Sequence, residues 1–155
     1  MKQISTLSGI GLMCIVLCAV IGCTGEKTPE TTVEASVVID QDSKIEWAGT
    51  WDIAFSKARS EEKVVLVTFY ADWCIWCKRL EDTTLADSSV ASFVTAKTVP
   101  VRLDVDGDGR ELSNKYRVDG LPTILVLSVD GEELGRIPGY LPPASFLERI
   151  RPLAG

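Results

Sequence analysis

The chain is organised around nine consecutive residues, Tyr70-Ala71-Asp72-Trp73-Cys74-Ile75-Trp76-Cys77-Lys78. The β-forming run Val64–Tyr70 leads into this stretch, and a helical pattern of apolar residues follows it. Cys74 and Cys77 therefore stand where a strand gives way to a helix. If the helix begins at Cys74, its free N–H groups and the positive end of its dipole favour a thiolate at that sulfur. Cys77, one turn later, can reach back and close a small disulfide ring, so the stretch predicts a redox site.

The composition fits one globular domain with short accessory segments. The chain has 155 residues, of which 46% are hydrophobic and 25% are charged, so it can bury a core. The net charge of −6 and the scattered basic residues argue against a nucleic-acid partner. Histidine is absent from the sequence, which excludes histidine-based general bases, catalytic triads and histidine metal sites.

The N-terminal segment has the pattern of an export signal. Lys2 is followed by a charge-free, strongly apolar stretch that ends near Gly25. The segment Val20-Ile21-Gly22-Cys23 resembles the bacterial lipobox, which implies cleavage before Cys23 and a lipid on its sulfur. The alternative is an uncleaved transmembrane helix, because about 20 apolar residues suffice to span a bilayer. Both alternatives place the rest of the chain outside the cytoplasm and hold it at a membrane.

Three segments follow from this pattern. Residues 1–22 form the predicted signal peptide, residues 23–44 the lipidated cysteine with a polar, flexible tether, and residues 45–155 the folded domain. Three of the five cysteines, at positions 14, 18 and 23, belong to the N-terminal segment. Cys74 and Cys77 are therefore the only thiols of the predicted domain.

Alternating strand and helix patterns run through the domain. We expect a short strand at Ile45–Trp47 to open it, Asp87 to cap a helix, and Asp130-Gly131 to turn a hairpin near its end. Apolar periodicity predicts the element order βαβαβαββα. This order is typical of an α/β fold with a central mixed β-sheet flanked by helices.

One acidic turn partly fits a calcium-binding loop. Asp104, Asp106 and Asp108 alternate as in such loops, but Lys115 stands where the loop needs a bidentate Glu. We therefore expect a turn followed by a helix over residues 110–116, and no metal site. Two thiols are too few for structural zinc, and Lys78 stands where haem attachment needs His.

Together these patterns resemble the thioredoxin superfamily over essentially all of residues 45–155. More narrowly, they are similar to the periplasmic C-terminal thioredoxin-like domain of the DsbD family. The matching segments are Tyr70–Cys74, Cys77-Lys78, Glu81, Gly120–Leu125 and Gly139. The resemblance implies a thioredoxin-like fold, a cis peptide bond at Leu121–Pro122 facing the disulfide, and no cofactor beyond the Cys74–Cys77 pair. The expected substrate-binding residues are Trp73, Ile75, Trp76, Leu121 and Pro122.

The sequence departs from the family pattern at two places. Many thioredoxins carry a buried Asp in the central strand under the second cysteine, and Thr68 occupies that position here. Glu81 lies four residues after Cys77, on the same helical face, and matches a carboxylate of the DsbD-type domains. We expect Glu81 to assist deprotonation of Cys77, with a solvated surface carboxylate as the alternative. The second departure is the uncharged pair Ile75-Trp76 between the cysteines.

The predicted activity is thiol:disulfide exchange through Cys74 and Cys77. Strong oxidants of the family hold the thiolate with extra donors, often a His between the cysteines, and this sequence has none. We therefore expect a membrane-anchored protein-disulfide reductase. The alternatives are an oxidase or isomerase that uses the same pair, and a non-catalytic adaptor with a static disulfide.

The expected partners follow from this activity and from the export signal. They are disulfide-bearing extracytoplasmic proteins, a membrane electron donor of the DsbD or CcdA type, and the membrane itself through the lipid on Cys23. We expect a monomer that faces the periplasm or extracytoplasmic space. The client protein, the reduction potential, and the choice between inner and outer membrane stay open at this stage.

Overall fold

The computed structural model describes residues 44–155. The predicted signal peptide, the predicted lipidation site Cys23 and all but the last residue of the predicted tether lie outside the described residues. Within these described residues, four strands form one sheet: β1 (Val64–Tyr70), β2 (Thr98–Asp104), β3 (Thr123–Leu127) and β4 (Glu133–Pro138). The helices are α1 (Trp51–Glu61), α2 (Ile75–Arg79), α3 (Ser88–Lys97), α4 (Arg110–Lys115) and α5 (Pro143–Ala154), and a π-helical segment (Leu80–Leu85) continues α2.

The sheet is mixed, as the sequence predicted. Its strand order is β2-β1-β3-β4, with β1 parallel to β2 and antiparallel to β3, and with β3 antiparallel to β4. Strand β1 is therefore central, and its end delivers the chain to the two cysteines. The architecture is a thioredoxin-like fold.

The prediction of a short strand at Ile45–Trp47 is wrong. The chain there makes only one isolated bridge, between Ala48 and Val101, in which the Ala48 N–H donates to the Pro100 carbonyl at 2.8 Å. In a strand, the N–H and C=O of one residue point to the same side. Pro100 accepts on the outer side of β2 but has no N–H to donate there, so the ladder does not extend.

Both faces of the sheet are buried, as the continuous apolar run of β1 predicted. Alternate residues of β1 point to opposite faces. Val65, Val67 and Phe69 pack with Phe55 of α1 on one face. Leu66 packs on the other face, with apolar residues of the π-helical segment, α3 and α5. Thr68 shares the face of Leu66, and this places its hydroxyl under the cysteine-bearing helix.

The predicted turns and caps are confirmed. The Asp87 carboxylate accepts the backbone N–H groups of Ser89 and Val90 and so caps α3. At the β3–β4 hairpin, Gly131 has φ of 82°, a conformation that favours glycine. None of the helices in residues 44–155 has the length and hydropathy of a membrane span.

The acidic turn after β2 forms no metal centre within residues 44–155. The Asp104 carboxylate accepts the Asp106 N–H at 2.9 Å, and the Asp108 carboxylate accepts the Asp104 N–H at 3.0 Å. Helix α4 follows at Arg110, in agreement with the expected turn and helix. These carboxylates therefore serve as hydrogen-bond acceptors of the turn itself.

Candidate active site

Cys74 and Cys77 form a disulfide at the beginning of α2, with their Cα atoms 5.2 Å apart. Cys74 is the N-cap residue, and its Sγ accepts the backbone N–H of Cys77 at 3.1 Å. This donor and the helix dipole would stabilise a thiolate at Cys74 once the disulfide is reduced. Both cysteines are nearly buried. The sequence-based expectation that the helix presents its N-terminus to Cys74 is confirmed.

Three large apolar side chains around the disulfide are exposed. The exposed fractions are 71% for Trp73, 75% for Ile75 and 51% for Trp76. Trp73 is nevertheless held in place, because its indole N–H donates to the Asp106 carboxylate at 2.7 Å. A cluster of exposed apolar side chains marks a surface suited to contact another molecule.

The residues expected opposite the disulfide are there. The Leu121–Pro122 peptide bond is cis, as the resemblance implied. Leu121 packs against the small cluster formed by Cys74, Cys77 and Ala71. Pro122 is buried and lines the same cavity as Cys77. The start of β3 therefore lies directly beside the two sulfurs.

A small cavity of about 10 Å³ lies beneath Cys77. This is close to the space that one water molecule needs. Thr68, Glu81 and Arg102 line it together with Cys77 and Pro122. Thr68 is only 3% exposed, and within residues 44–155 its hydroxyl oxygen has no hydrogen-bond partner. A polar, one-water cavity with an unpartnered hydroxyl in its wall is suited to hold a buried water.

Glu81 reaches this cavity as half of an ion pair. Arg102 of β2 donates to both Glu81 carboxylate oxygens, at 2.5 and 3.1 Å. The Glu81 side chain is 45% exposed, so the carboxylate touches both solvent and the cavity. The Arg102 guanidinium also lies over the rings of Tyr70, at 4.4 Å, and Trp47, at 5.5 Å. These contacts hold the carboxylate end of Glu81 on the side of β2.

Arg102 was missed by sequence reasoning. The available signal was a lone cation inside the apolar strand β2, where a buried or half-buried charge needs a partner. Its register partner on β1 is Thr68, so the two side chains share one face of the sheet. Only that pairing brings Arg102 to the cavity.

A second missed feature is a cation that lies beside two aromatic rings. The Arg79 guanidinium carbon lies 5.5 Å from the Trp76 ring centroid and 5.1 Å from that of Tyr140. The Thr83 hydroxyl is 3.4 Å from the Tyr140 oxygen. This hydrogen bond, and secondarily Arg79, lowers the pKa of the Tyr140 phenol. The loop after β4 thus takes part in the surface beside the disulfide.

Comparison with known proteins gives a consistent result. The family model of the thioredoxin-like domain matches residues 51–154. A thiol:disulfide interchange protein DsbD from Pseudomonas fluorescens is 38% identical over 101 residues, which is 62% of this chain and 17% of that protein. The chain therefore spans less than a fifth of that relative's length, and it spans 16% of a Yersinia pestis relative and 18% of a Pseudomonas aeruginosa one.

Several solved structures share the fold at more than 25% identity, and two of them illustrate the likeness. A thioredoxin from Thermus thermophilus has a TM-score of 0.65 and 31% identity, covering 71% of this chain and 87% of its own. The oxidised DsbD C-terminal domain of Neisseria meningitidis has a TM-score of 0.57 and 28% identity, covering 65% of this chain and 90% of its own.

Proposed function

Because this chain belongs to the family of thioredoxin-like domains and carries a Cys74–Cys77 disulfide of the thiol:disulfide oxidoreductase type, we propose that it is a reductase of protein disulfides. The observation that carries the proposal is the Cys74 sulfur at the N-terminus of α2, facing the N–H of Cys77 and bordered by exposed apolar side chains. This arrangement favours a thiolate at a surface that a substrate can reach.

In the proposed reaction, the reduced form of the pair attacks a substrate disulfide. The Cys74 thiolate bonds to one substrate sulfur, and the second substrate sulfur leaves as a thiolate. The Cys77 thiolate then attacks Cys74 Sγ, the mixed disulfide breaks, and the first substrate sulfur leaves. Two electrons pass from the pair to the substrate, which takes up two protons, and Cys74–Cys77 ends as a disulfide.

The second attack requires Cys77 to lose its proton, and we assign this proton to Glu81. The support is the cavity that Cys77 and Glu81 share, with space for one water beside the Thr68 hydroxyl. A water in this space would link the thiol to the carboxylate. Arg102 would then act as a positioning residue, because it holds the carboxylate at the edge of the cavity.

The apolar residues at the site would receive the substrate. In this proposal the exposed Trp73, Ile75 and Trp76 contact the substrate segment, and Leu121 and Pro122 form the wall that it meets on the other side. The disulfide itself is the only redox group the reaction requires.

The surroundings of Cys74 support electron flow from the cysteine pair to the substrate. The residues between the cysteines are uncharged and include no His, so the thiolate lacks the extra donors of strong oxidants.

The reductase would act outside the cytoplasm, held to the membrane through a lipid on Cys23. There it would be re-reduced by a membrane electron donor of the DsbD or CcdA type.

Three measurements test the proposal. The full-length protein should reduce insulin disulfides with dithiothreitol as electron source, and its potential against glutathione should lie below about −150 mV. A potential nearer −120 mV, the value of a strong oxidant, would favour an oxidase instead. The Cys77→Ala variant should trap mixed disulfides with extracytoplasmic proteins in cells. If the protein neither reduced insulin nor trapped mixed disulfides, the remaining alternative would be a non-catalytic adaptor with a static disulfide.

A further inference from the structure

The surface beside the disulfide carries a fixed positive charge. Arg79 follows Ile75 and Trp76 by four and three residues, so the three side chains share one side of α2. Its guanidinium carbon lies 5.5 Å from the Trp76 ring centroid and 5.1 Å from that of Tyr140, and the two centroids are themselves 6.0 Å apart, so the cation lies beside both rings. Cation–π contact with two rings restrains a long side chain that would otherwise sample many rotamers.

The ring of Tyr140 is in turn tied to the site by backbone contacts. The N–H of Gly139 donates to the carbonyl of Pro122 at 2.7 Å, and the Thr84 hydroxyl donates to the carbonyl of Leu141 at 2.5 Å. The residues on either side of Tyr140 are thus joined to the segment beside the disulfide and to the π-helical segment. Arg79 is consequently positioned relative to Cys74 and does not simply extend into solvent.

Arg79 differs from two other arginines in its partners. Arg102 pairs with Glu81 and Arg136 pairs with Glu133, but in the part of the chain that the structure describes no carboxylate lies within ion-pair distance of Arg79. A guanidinium carries several N–H donors in a planar fork, so the interaction of Arg79 with the Tyr140 phenol leaves donors for another acceptor. A carboxylate from another molecule could take them.

The opposite flank of the disulfide is acidic. Trp73 is bonded to Asp106, in the turn that follows β2, whereas Trp76 contacts Tyr140, which follows β4. Strands β2 and β4 are the two edges of the sheet, so the acidic turn and Arg79 flank the disulfide from opposite sides. A segment that crosses the site meets negative charge at Trp73 and positive charge at Trp76.

We propose that Arg79 makes the enzyme prefer disulfide substrates that carry a carboxylate on the segment passing over Trp76. This inference rests on the proposed reductase activity and names the substrate class of the same site. The partner is a polypeptide with an Asp or Glu near its disulfide cysteine, because the exposed residues next to Arg79 are those that a substrate segment must cover to reach Cys74. Charge complementarity of this kind selects and orients partners.

The test uses peptides that contain one disulfide and differ only by Glu, Gln or Lys directly before or directly after one cysteine. For the full chain in detergent, kcat/KM should be about two- to fivefold higher for Glu than for Lys on one side of the cysteine, the range of an exposed ion pair. The preference should vanish at about 1 M salt, where the screening length falls to about 3 Å.

Three variants test whether Arg79 causes the preference for the Glu peptide. Arg79→Gln should lose the preference and still reduce the Gln peptide, and Tyr140→Ala should weaken it because the cation loses one ring. Lys97→Gln is the matched control. It removes one positive charge at the end of α3, where β2 begins, and should keep the full preference.

The comparison of peptides tests the role of Arg79, whereas activity on any of the peptides tests the proposed reductase function. Equal rates for Glu and Lys peptides at both positions, or an undiminished preference in Arg79→Gln, would overturn the role of Arg79. If Arg79→Gln does not fold, Arg79→Lys serves instead and should retain only part of the preference, because an ammonium lacks the planar stacking surface. Failure of the wild-type protein to reduce any of the peptides would count against the reductase itself.

Discussion

The Arg102 guanidinium on β2 donates one hydrogen bond to each oxygen of the Glu81 carboxylate in the π-helical segment. The N···O distances are 2.5 and 3.1 Å. This ion pair forms one side of the cavity under Cys77. A carboxylate on a flexible side chain would ordinarily turn to solvent, but this one is held at the edge of the cavity that Cys77 also lines.

Replacing Glu81 with Gln should slow the resolution of the mixed disulfide by Cys77. At pH 7 we expect a decrease of about a hundredfold, the lower end of what a positioned general base contributes. Above about pH 9 the deficit should shrink, because an ordinary cysteine thiol ionises unaided near pH 8.5. Stopped-flow measurement of product release from a preformed mixed disulfide, at several pH values, would show this. Glu133→Gln, which breaks an ion pair with Arg136 on β4, is the control and should leave the profile unchanged. If the ratio of the wild-type rate to the Glu81→Gln rate did not change with pH, Glu81 would not be the group that accepts the Cys77 proton.

Replacing Thr68 with Val should slow the step carried out by Cys77 without lowering the stability of the fold. Within residues 44–155 the hydroxyl is buried without a protein partner, and leaving such a group unsatisfied costs about 1–3 kcal/mol. The free energy of unfolding should therefore stay within about 1 kcal/mol of wild type or rise, as measured in urea. The Cys77 step should slow, because the cavity loses the group that would hold its water. A variant with unchanged exchange rates would show that Thr68 does not hold a catalytic water.

Replacing Gly109 with Ala should destabilise the turn after β2. A Cβ atom at this position would lie 2.8 Å from the Leu103 Cβ and 2.9 Å from the Asp104 carbonyl oxygen. Neither atom belongs to the flexible end of a side chain, so we expect a loss of about 1–3 kcal/mol, typical of overpacking. Gly107→Ala is the matched control in the same turn, where the nearest atom is 3.7 Å away. Equal urea midpoints for the two variants would contradict this account.

Replacing Asp87 with Ala should remove the N-cap of α3 and cost about 1 kcal/mol at pH 7. The hydrogen bond from the Ser89 side chain, followed by the N–H groups of Val90 and Ser89, lowers the pKa of the Asp87 carboxyl. A lowered pKa means that this stabilisation is present above the unfolded value, near 3.9, and is lost as pH falls through the folded value. The difference between wild type and Asp87→Ala should therefore narrow below about pH 4.

Asp87→Asn supplies the comparison for that measurement, because Asn caps helices but does not titrate. Its stability relative to Asp87→Ala should hold constant across the acid range. Thermal unfolding at pH 3, 4, 5 and 7 distinguishes the cases. A difference between wild type and Asp87→Ala that persists at the lowest pH would show that the charge of the cap plays no part.

Much of the fold could be predicted because its signals are local. The apolar run of β1, the Asp87 cap and the Gly131 turn each depend on a few neighbouring residues. The cis bond before Pro122 came from the family resemblance and is confirmed. The expected strand at Ile45–Trp47 is wrong because its partner edge contains Pro100, far along the chain, which cannot donate a hydrogen bond.

Local patterns in the sequence suffice to place two cysteines at a strand-to-helix junction and to show that they are the only cysteines of the predicted domain. Which charges surround them depends on tertiary contacts. Arg102 meets Glu81 because β2 lies parallel to β1 in a register that pairs Arg102 with Thr68. Arg79 meets Tyr140 because the loop after β4 returns to the π-helical segment. Periodicity shows which face a side chain takes, but contacts between distant segments depend on strand order and register, which local sequence does not encode.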